Sequence, residues 1–341
     1  MKIDTFTKSF CMYRRIQFVL VVFLFSIVSA KAQNDSIQKP MSLLQPDYLK
    51  AGDSIAIVAP AGILKNKKEL IEKAIKLAES WGLKVKVGSH VFDQNNHFAG
   101  TDENRTKDFQ EALDNSNIKA IWCARGGYGS VRIIDKLDFT QFQKKPKWII
   151  GYSDVTAFHN HLNGFRIQSI HGMMGTSMQY EDVESEKTLK KALFGEELLY
   201  EIPSSKYNKN GTAEGELIGG NLSILMSMLG SKSQLETEGK ILFIEEIGEY
   251  KYAIDRMLQS LKRAGYFKNL KGLIVGNMTS IKKNTTVWGS SIEQLILDVV
   301  SDTSFPILFD FPAGHEPTNK ALIMGKRITL DVNKTSSKIT F

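Results

Sequence analysis

The chain has 341 residues, of which 42% are hydrophobic and 24% charged, a composition typical of a globular protein with room for two domains. The formal net charge is +7, and it falls to +3 without residues 1–32, which carry five basic residues and one acidic residue. This small positive net charge does not indicate a nucleic-acid partner. Because only Cys123 follows residue 32, a disulfide within that part of the chain is excluded.

Residues 1–32 predict a secretory signal peptide. Basic residues precede an almost wholly apolar stretch, 16–28, and Ala30-Lys31-Ala32 forms a small-x-small cleavage site. The apolar stretch is shorter than the ~20 residues that span a bilayer, so we expect cleavage rather than a retained anchor. The mature chain is then exported to the periplasm without stable membrane insertion. The polar segment 33–48 predicts a flexible linker.

Residues 49–181 predict an N-terminal α/β domain, because strands and helices alternate along them. The apolar run 54–59 predicts a strand, and 67–81 carries apolar residues at helical spacing. The alternation continues with predicted helices at 102–114 and 130–137 and predicted strands at 83–87, 120–123 and 148–150. Such a pattern is typical of a mainly parallel sheet flanked by helices, with functional groups at the carboxyl ends of the strands.

The segment 182–210 predicts a connection between domains, because it is charged and poorly periodic. Residues 211–341 then predict a smaller C-terminal α/β or α+β domain. Its expected elements are helices at 253–264 and 292–301, strands at 240–245, 272–275 and 306–309, and a closing pair around 321–330 and Ile339.

Ser153 is the leading candidate for a nucleophile. The predicted strand 148–150 stops at Gly151, and the serine stands where the next helix begins. A serine at a sharp strand-to-helix turn projects its hydroxyl out of the backbone, and the amide that follows faces any oxyanion formed there. The closing glycine of the usual elbow is missing. A helix cap by Ser153 or Asp154 is therefore the alternative interpretation.

A serine nucleophile needs a general base, and His315 is the first candidate. It lies in a proline-flanked loop just past the predicted strand 306–309, and catalytic groups often lie in such loops. His171, at a strand end near the elbow, is the second candidate. His159 and His161 follow Ser153 on the same predicted helix, so they should point away from its tip.

A carboxylate must orient the imidazole, and Glu245 is the first choice because the predicted strand 240–245 delivers it at the carboxyl end. Glu246 points to the opposite face if the strand continues. Glu249 lies beyond Gly248 in a loop where it could meet a substrate amine. For each of these residues the alternative is a surface carboxylate or a helix cap.

The run Arg125-Gly126-Gly127-Tyr128-Gly129 predicts an anion site. It ends the strand 120–123 and opens a helix, where backbone amides can approach a substrate carboxylate or an oxyanion. The run lacks the Lys-Ser/Thr of a P-loop and the spacing of a dinucleotide fingerprint, so we expect no nucleotide cofactor. The histidines are scattered and no zinc or calcium motif occurs in the sequence, so we expect no metal.

Taken together, these motifs resemble the LD-carboxypeptidases, or muramoyltetrapeptide carboxypeptidases, a family of serine peptidases. The resemblance covers about residues 49–335. The family's serine, glutamate and histidine fall on Ser153, Glu245 and His315, although the family often has Glu-Asp at positions 245–246, which leaves the orienting carboxylate open between the two. The motifs are Ile55-Ala-Ile-Val-Ala-Pro60, Arg125-Gly-Gly-Tyr-Gly129, Gly151-Tyr-Ser-Asp154, Gly219-Gly-Asn221, Phe243-Ile-Glu-Glu246, Asp255-Arg-Met-Leu258 and Gly314-His315.

The resemblance implies an active site between two domains and a murein peptide as the partner. The bond cleaved joins the L-configured centre of a diamino acid to the terminal D-alanine of a murein tetrapeptide. The N–H groups of Gly127 and Asp154 would bind the oxyanion and Arg125 the terminal carboxylate, with Tyr128 and Asn221 as further substrate-binding residues. Many relatives act in the cytoplasm, whereas the leader here favours murein remodelling or scavenging in the periplasm.

Two other functions fit the same motifs. A sister group within the family cleaves peptidyl-nucleotide antibiotics and confers self-immunity. A noncatalytic periplasmic ligand-binding protein would also have two α/β lobes around a cleft. A homodimer is compatible with each of the three functions.

Overall fold

The computed structural model describes residues 43–341, so the predicted signal peptide and most of the predicted linker lie outside the described residues. The first part contains β1 (Ser54–Val58), α1 (Lys68–Ser80), β2 (Lys84–Val87), α2 (Asp102–Asp114), β3 (Ile118–Cys123), α3 (Ser130–Ile133), α4 (Thr140–Lys144), β4 (Trp148–Gly151), α5 (Thr156–Gly164), β5 (Ser169–His171) and α6 (Val183–Phe194). The second part contains β6 (Leu199–Pro203), β7 (Gly211–Asn221), α7 (Leu222–Ser227), β8 (Ile241–Ile247), α8 (Lys251–Arg263), β9 (Gly272–Thr279), α9 (Ile292–Val299), β10 (Ile307–Leu308), β11 (Leu322–Met324), β12 (Arg327–Val332) and β13 (Ser336–Thr340).

The first sheet confirms the mainly parallel arrangement. Its order is β11-β5-β4-β3-β1-β2, and every pair is parallel except β11 with β5. Strands β3 and β4 are apolar along nearly their whole length because helices cover both faces of such a sheet. Helix α1 buries a stripe of apolar residues at helical spacing, namely Ile71, Ala74 and Ala78.

The strand order of the first sheet reverses between β1 and β3. The chain places β2 on one side of β1 and β3 on the other, so the loops that follow β1 and β3 meet at the carboxyl edge. The N–H of Gly62 donates to the carbonyl of Gly126 at 3.0 Å across this point. Ligands of open α/β sheets bind at such positions.

The second sheet is half parallel and half antiparallel. Its order is β10-β9-β8-β7-β12-β13-β6, with parallel pairs from β10 to β7 and antiparallel pairs from β7 to β6. This mixture confirms the α/β or α+β expectation for the C-terminal part. In the register of β7 and β8, Asn221 lies opposite Glu245.

The segment 182–210 is more than the connection that its sequence predicts, because it contains α6 and β6. The reason lies in the buried face of α6, where two of five residues are polar and mask the apolar period. These buried residues are Ser185, Thr188, Leu189, Ala192 and Leu193. The domain boundaries proposed from the sequence stay a prediction.

The closing segment divides between the two sheets. Strand β11 pairs with β5, whereas β12 pairs with β7 and β13. Gly325, with a φ of +82°, turns the chain from one sheet into the other within three residues. The predicted closing pair is thus correct for β12 and β13 and wrong for β11. The predicted helix 130–137 is also shorter, because α3 gives way to a 3-10 turn at Ile134–Lys136. No helix within 43–341 is long and apolar enough to cross a membrane.

Candidate active site

Ser153 occupies a strained turn between β4 and α5. Its φ is +61°, a left-handed value that few non-glycine residues adopt, and Gly151 before it has a φ of +157°. A Cβ on Gly151 would approach Val155 Cγ2 to 2.8 Å, so a side chain does not fit there. Among residues 147–160, Ser153 alone is not buried. Strain of this kind costs on the order of 1–3 kcal/mol and collects at functional sites, which supports the nucleophile interpretation.

The glycine-rich loop after β3 packs directly on Ser153. A Cβ built on Gly126 would lie 3.2 Å from Ser153 Oγ and 3.4 Å from the amide nitrogen of Asp154. Gly127 comes next, is exposed and has a φ of +100°. The two predicted oxyanion donors, the N–H groups of Gly127 and Asp154, therefore each adjoin the contact between Gly126 and Ser153.

The carboxylate of Asp154 holds this loop against the turn. It is buried, and its Oδ2 accepts the N–H of Ser130 at 2.8 Å, at the first residue of α3. Burial raises the pKa of Asp154 above its ordinary value, although hydrogen bonds from Ser130 and Gly129 oppose the shift. The cap that the sequence offered as an alternative is thus present, but Asp154 caps a neighbouring helix and leaves the Ser153 hydroxyl uninvolved.

Arg105 fixes the loops after β1 and β3 to each other. Its buried guanidinium donates to the carbonyls of Pro60 and Gly129 and to the carboxylate of Asp102. Arg105 is not predictable from the sequence, since one arginine in an amphipathic helix forms no distinctive pattern. Its contribution is structural, because it sets where the glycine-rich loop lies.

His315 and Glu245 form a direct pair. His315 Nδ1 lies 2.7 Å from Glu245 Oε2, and Glu245 is fully buried two residues before the end of β8. Burial alone would lower the pKa of His315, but the charge and hydrogen bond of Glu245, with the charges of Glu246 and Glu181, outweigh it and raise the pKa above its ordinary value. With Nδ1 occupied by the carboxylate, Nε2 is the nitrogen left for a nucleophile.

The imidazole of His315 lies beside the residue that precedes Ser153. The ring of Tyr152 approaches the His315 ring edge-on, with the two centroids 5.0 Å apart. The structure therefore places the candidate base in contact with the residue next to the candidate nucleophile, although 162 positions separate Ser153 and His315 in the sequence.

Glu246 faces the other side of β8, and so it does not take the place of Glu245. Its two oxygens accept hydrogen bonds from the Asn221 side chain at 3.2 Å, from the Ile247 N–H at 2.8 Å, and from the N–H and hydroxyl of Ser223 at 2.7 and 2.5 Å. Burial raises the pKa of Glu246. The adjacent carboxylates thus have different partners, as the alternation of side chains along a strand requires.

The loop that carries His315 needs glycine at position 314. A Cβ on Gly314, whose φ is +134°, would lie 3.1 Å from Glu245 Oε2 and 3.2 Å from Asn277 Cβ. The N–H of Gly314 donates to Asn319 Oδ1 at 3.0 Å. This close approach is what lets the imidazole meet the buried carboxylate.

Arg125 and Tyr128 lie on the exposed side of the site. Arg125 is half-buried, donates to the carbonyl of Ile63, and has no carboxylate within salt-bridge distance among residues 43–341. Burial and the charge of Arg125 lower the pKa of Lys67, so two cations share this rim. Tyr128 is 48% exposed and packs on Phe98.

Asn221 is bonded to protein groups on three sides. Its side chain is buried, its Oδ1 accepts the N–H of Ile224 as the cap of α7, and its Nδ2 donates to Glu246. Its backbone N–H donates to Thr156 Oγ1 at 3.0 Å, which ties β7 to the start of α5. These bonds give Asn221 a structural role, and the predicted contact with substrate stays a prediction.

The other candidate histidines are buried away from the open site. His171 is fully buried and packs edge-on against Phe243, and burial holds its pKa well below the ordinary value. His159 bonds Ser169 and the carbonyl of Gly151, and burial lowers the pKa of His159 to about 4. Packing roles for His159 and His161 agree with their predicted positions, and the burial of His171 argues against it as the base.

Two residues near His315 were missed from the sequence, namely Glu181 and Asn319. Both lie in segments without a recognisable motif, and they meet only because α6 begins beside the 311–319 loop. Within residues 43–341, no group of three or more histidine, cysteine or acidic side chains could hold a metal ion.

Comparison with known proteins identifies the family. Residues 55–172 match the LD-carboxypeptidase N-terminal domain, and residues 214–330 match the LD-carboxypeptidase C-terminal domain. The chain is 35% identical over 304 residues to a Bacillus subtilis protein named as a probable murein peptide carboxypeptidase, with 86% of this chain and 94% of the relative covered. It is 29% identical over 297 residues to a murein tetrapeptide carboxypeptidase of Pseudomonas aeruginosa, with 82% and 94% covered.

Solved structures share this fold. The crystal structure of muramoyltetrapeptide carboxypeptidase from Oxalobacter formigenes has a TM-score of 0.76 at 28% identity and covers 84% of this chain and 98% of its own. The microcin C7 self immunity protein has the same fold, with a TM-score of 0.76 at 21% identity over 87% of this chain and 98% of its own. The chain belongs to the LD-carboxypeptidase family and is a serine-type carboxypeptidase.

Proposed function

We propose that this enzyme hydrolyses the L,D bond that links the diamino acid of a murein tetrapeptide to its terminal D-alanine. The proposal rests on one observation above all, the 2.7 Å pair of His315 and Glu245 beside the strained turn of Ser153. The names of two relatives, a murein peptide and a murein tetrapeptide carboxypeptidase, support the substrate class.

In the proposed reaction Ser153 Oγ attacks the carbonyl carbon of the diamino acid while its proton passes to His315 Nε2. Glu245 remains ionised against Nδ1–H and stabilises the imidazolium. The tetrahedral intermediate collapses as His315 gives that proton to the amine of the leaving D-alanine. A water molecule then attacks the acyl-enzyme by the same route and releases the tripeptide.

The oxyanion of the intermediate would lie between the N–H groups of Gly127 and Asp154. Both groups adjoin the contact of Gly126 with Ser153, and the anchored positions of the two segments mean that little reorganisation accompanies the reaction. Losing one such donor typically costs about 10²–10³-fold in kcat.

Arg125 is the proposed partner of the terminal carboxylate. It lies in the same loop as the oxyanion donors and has no acidic partner among residues 43–341, so its charge is available. Tyr128, exposed beside it, would cover the peptide. An arginine fork recognises a carboxylate better than a lysine, because two parallel hydrogen bonds form.

We further propose that the mature enzyme acts in the periplasm on murein fragments. The proposal rests on the sequence of residues 1–32, with its basic start, apolar stretch and small-x-small site. Expression of the full chain with a cytoplasmic and a periplasmic marker, followed by fractionation, tests it. Mass spectrometry of the purified protein would show whether the chain starts at Gln33.

Incubation of the enzyme with a purified murein tetrapeptide, followed by mass spectrometry, tests the proposed activity. We expect conversion to the tripeptide with D-alanine in the supernatant. A tetrapeptide that ends in L-alanine provides the matched control, and an aspartyl sulfamoyl adenosine tests the sister-group activity. Cleavage of the adenosine compound alone would contradict the murein assignment and favour an immunity function.

A further inference from the structure

Glu181 lies against the loop that carries His315. It directly precedes the cap of α6, and its N–H donates to the carbonyl of Ser177 at 3.0 Å. Its Oε1 lies 3.5 Å from Asn319 Nδ2, while its Oε2 is buried and has no hydrogen-bond partner among residues 43–341. A buried carboxylate oxygen without a partner is costly, so a functional reason for it is expected.

The start of α6 and the 311–319 loop are joined by several hydrogen bonds. The N–H of Asp182 donates to the carbonyl of Pro317 at 2.9 Å, and the N–H of Asn319 donates to Ser185 Oγ at 2.8 Å. Thr318 Oγ1 donates to the Asp182 carboxylate. Asn319 in turn accepts the N–H of Gly314, the residue before His315. A chain of contacts therefore runs from Glu181 through Asn319 to the catalytic loop.

The groups that face Glu181 come from three segments. They are the hydroxyls of Ser177 and Tyr152, the amide of Asn319 and the imidazole of His315. Tyr152 is itself bonded to the Tyr180 hydroxyl at 2.5 Å. His315 also faces Glu245, Glu246 and His171, and the charge of Glu246 raises the pKa of His315 more than the charge of Glu181 does. Burial raises the pKa of Glu181 to about 7, so its charge changes in the range in which a histidine titrates.

We propose that Glu181 is a positioning residue of the active site, which holds the His315 loop through Asn319 and adds a further negative charge for the imidazolium. The inference rests on the proposed role of His315 as the base. Glu245 fixes the tautomer and direction of the imidazole, whereas Glu181 adjusts its basicity and the place of its loop. Oε2 has free acceptor capacity, so the carboxylate of Glu181 is able to interact with the imidazolium.

The test is a pH titration of His315 in the Glu181→Gln variant. The titration is monitored by NMR of isotope-labelled imidazoles, without substrate. The resonance is identified by its loss in His315→Gln. Glutamine keeps an acceptor for Asn319 and removes the charge, so we expect the pKa of His315 to fall by about half a unit. The acid side of the kcat/KM profile should move to lower pH by the same amount, and kcat at high pH should fall roughly threefold to tenfold.

Two further variants separate charge from structure. Glu181→Asp keeps the charge and shortens the side chain, so we expect the pKa of His315 to stay near the wild-type value while kcat falls. Glu184→Gln, in the first turn of α6, removes a carboxylate whose partner is Lys320 at 2.8 Å, and we expect neither the titration of His315 nor the pH profile to move.

An unchanged pKa of His315 in Glu181→Gln, or an equal shift in Glu184→Gln, would overturn the inference. Wild-type protein that releases no D-alanine would instead contradict the proposed function. The two results are distinguishable because the NMR titration is measured without any substrate.

Discussion

The two walls of the active site are built in different ways. The first wall, the loops at 60–62, 125–129 and 151–154, is held by close backbone approaches that require glycine at several positions. The second wall, β8 with the 311–319 loop and the start of α6, is held by side-chain hydrogen bonds between segments far apart in sequence. A nucleophile thus comes from a local turn, whereas its base depends on long-range contacts.

The largest effect is expected at the centre of the first wall. Ser153→Ala removes the nucleophile, so we expect kcat to fall by about 10⁴-fold or more, as in other serine hydrolases. The thermal midpoint should hardly change, because the hydroxyl has no hydrogen bond on which the fold depends and the left-handed φ is strained for alanine as for serine. Release of D-alanine and a melting curve measure the two quantities. Turnover comparable to wild type would remove Ser153 from the mechanism.

Substitutions of the adjacent carboxylates Glu245 and Glu246 separate catalysis from stability in the second wall. Glu245→Gln should lower kcat by about 10²–10⁴-fold, because the neutral amide does not stabilise the imidazolium. Glu246→Gln should leave most of kcat but reduce the free energy of unfolding by about 1–3 kcal/mol, because a buried acceptor of four hydrogen bonds is altered. Steady-state kinetics and urea unfolding of the two variants should show opposite patterns. The reverse pattern would exchange the roles of the two residues.

The first wall of the active site is more predictable from the sequence than the second wall. The turn at Ser153 and the Arg125–Gly129 run are contiguous, and the glycine pattern that shapes them is visible in the chain. Glu245 was selected because it ends a predicted strand, and His315 because it lies in a proline-flanked loop just past one. Glu181 and Asn319 were not found, since α6 hides its period behind Ser185 and Thr188, and a hydrogen bond between distant segments leaves no local pattern. The assignment of β11 to the first sheet was missed for the same reason.

A smaller effect is expected from Gly314→Ala in the second wall. The new Cβ would contact Glu245 Oε2 and Asn277 Cβ, so His315 must shift, and we expect kcat to fall about 10–100-fold. Gly265→Ala is a matched control, because Gly265 also has a left-handed φ, of +84°, but nothing lies within 4 Å of the added Cβ. The control should lose stability and keep kcat. Equal kinetics in both variants would mean that the close approach at Gly314 does not position the base.

The smallest expected effect is on the pH profile. The general base must be neutral in the free enzyme, so kcat/KM should fall as pH falls through the pKa of His315. Because Glu245 and the neighbouring carboxylates raise that pKa, the acid limb should have a midpoint above the ordinary histidine value of 6.5. Kinetics from pH 5 to 9 measure the midpoint, with buffers of constant ionic strength. A midpoint below about 6 would contradict the claim that the neighbouring carboxylates raise the pKa of His315.

Covalent labelling with a serine-directed fluorophosphonate tests the central claim most directly, because it needs no assumption about the substrate. The account predicts one adduct per chain, located by peptide mapping on Ser153, with labelling greatly slowed in His315→Gln and Glu245→Gln. An unlabelled wild-type protein, or an adduct on another residue, would contradict the claim that Ser153 is a nucleophile activated by the His315–Glu245 pair.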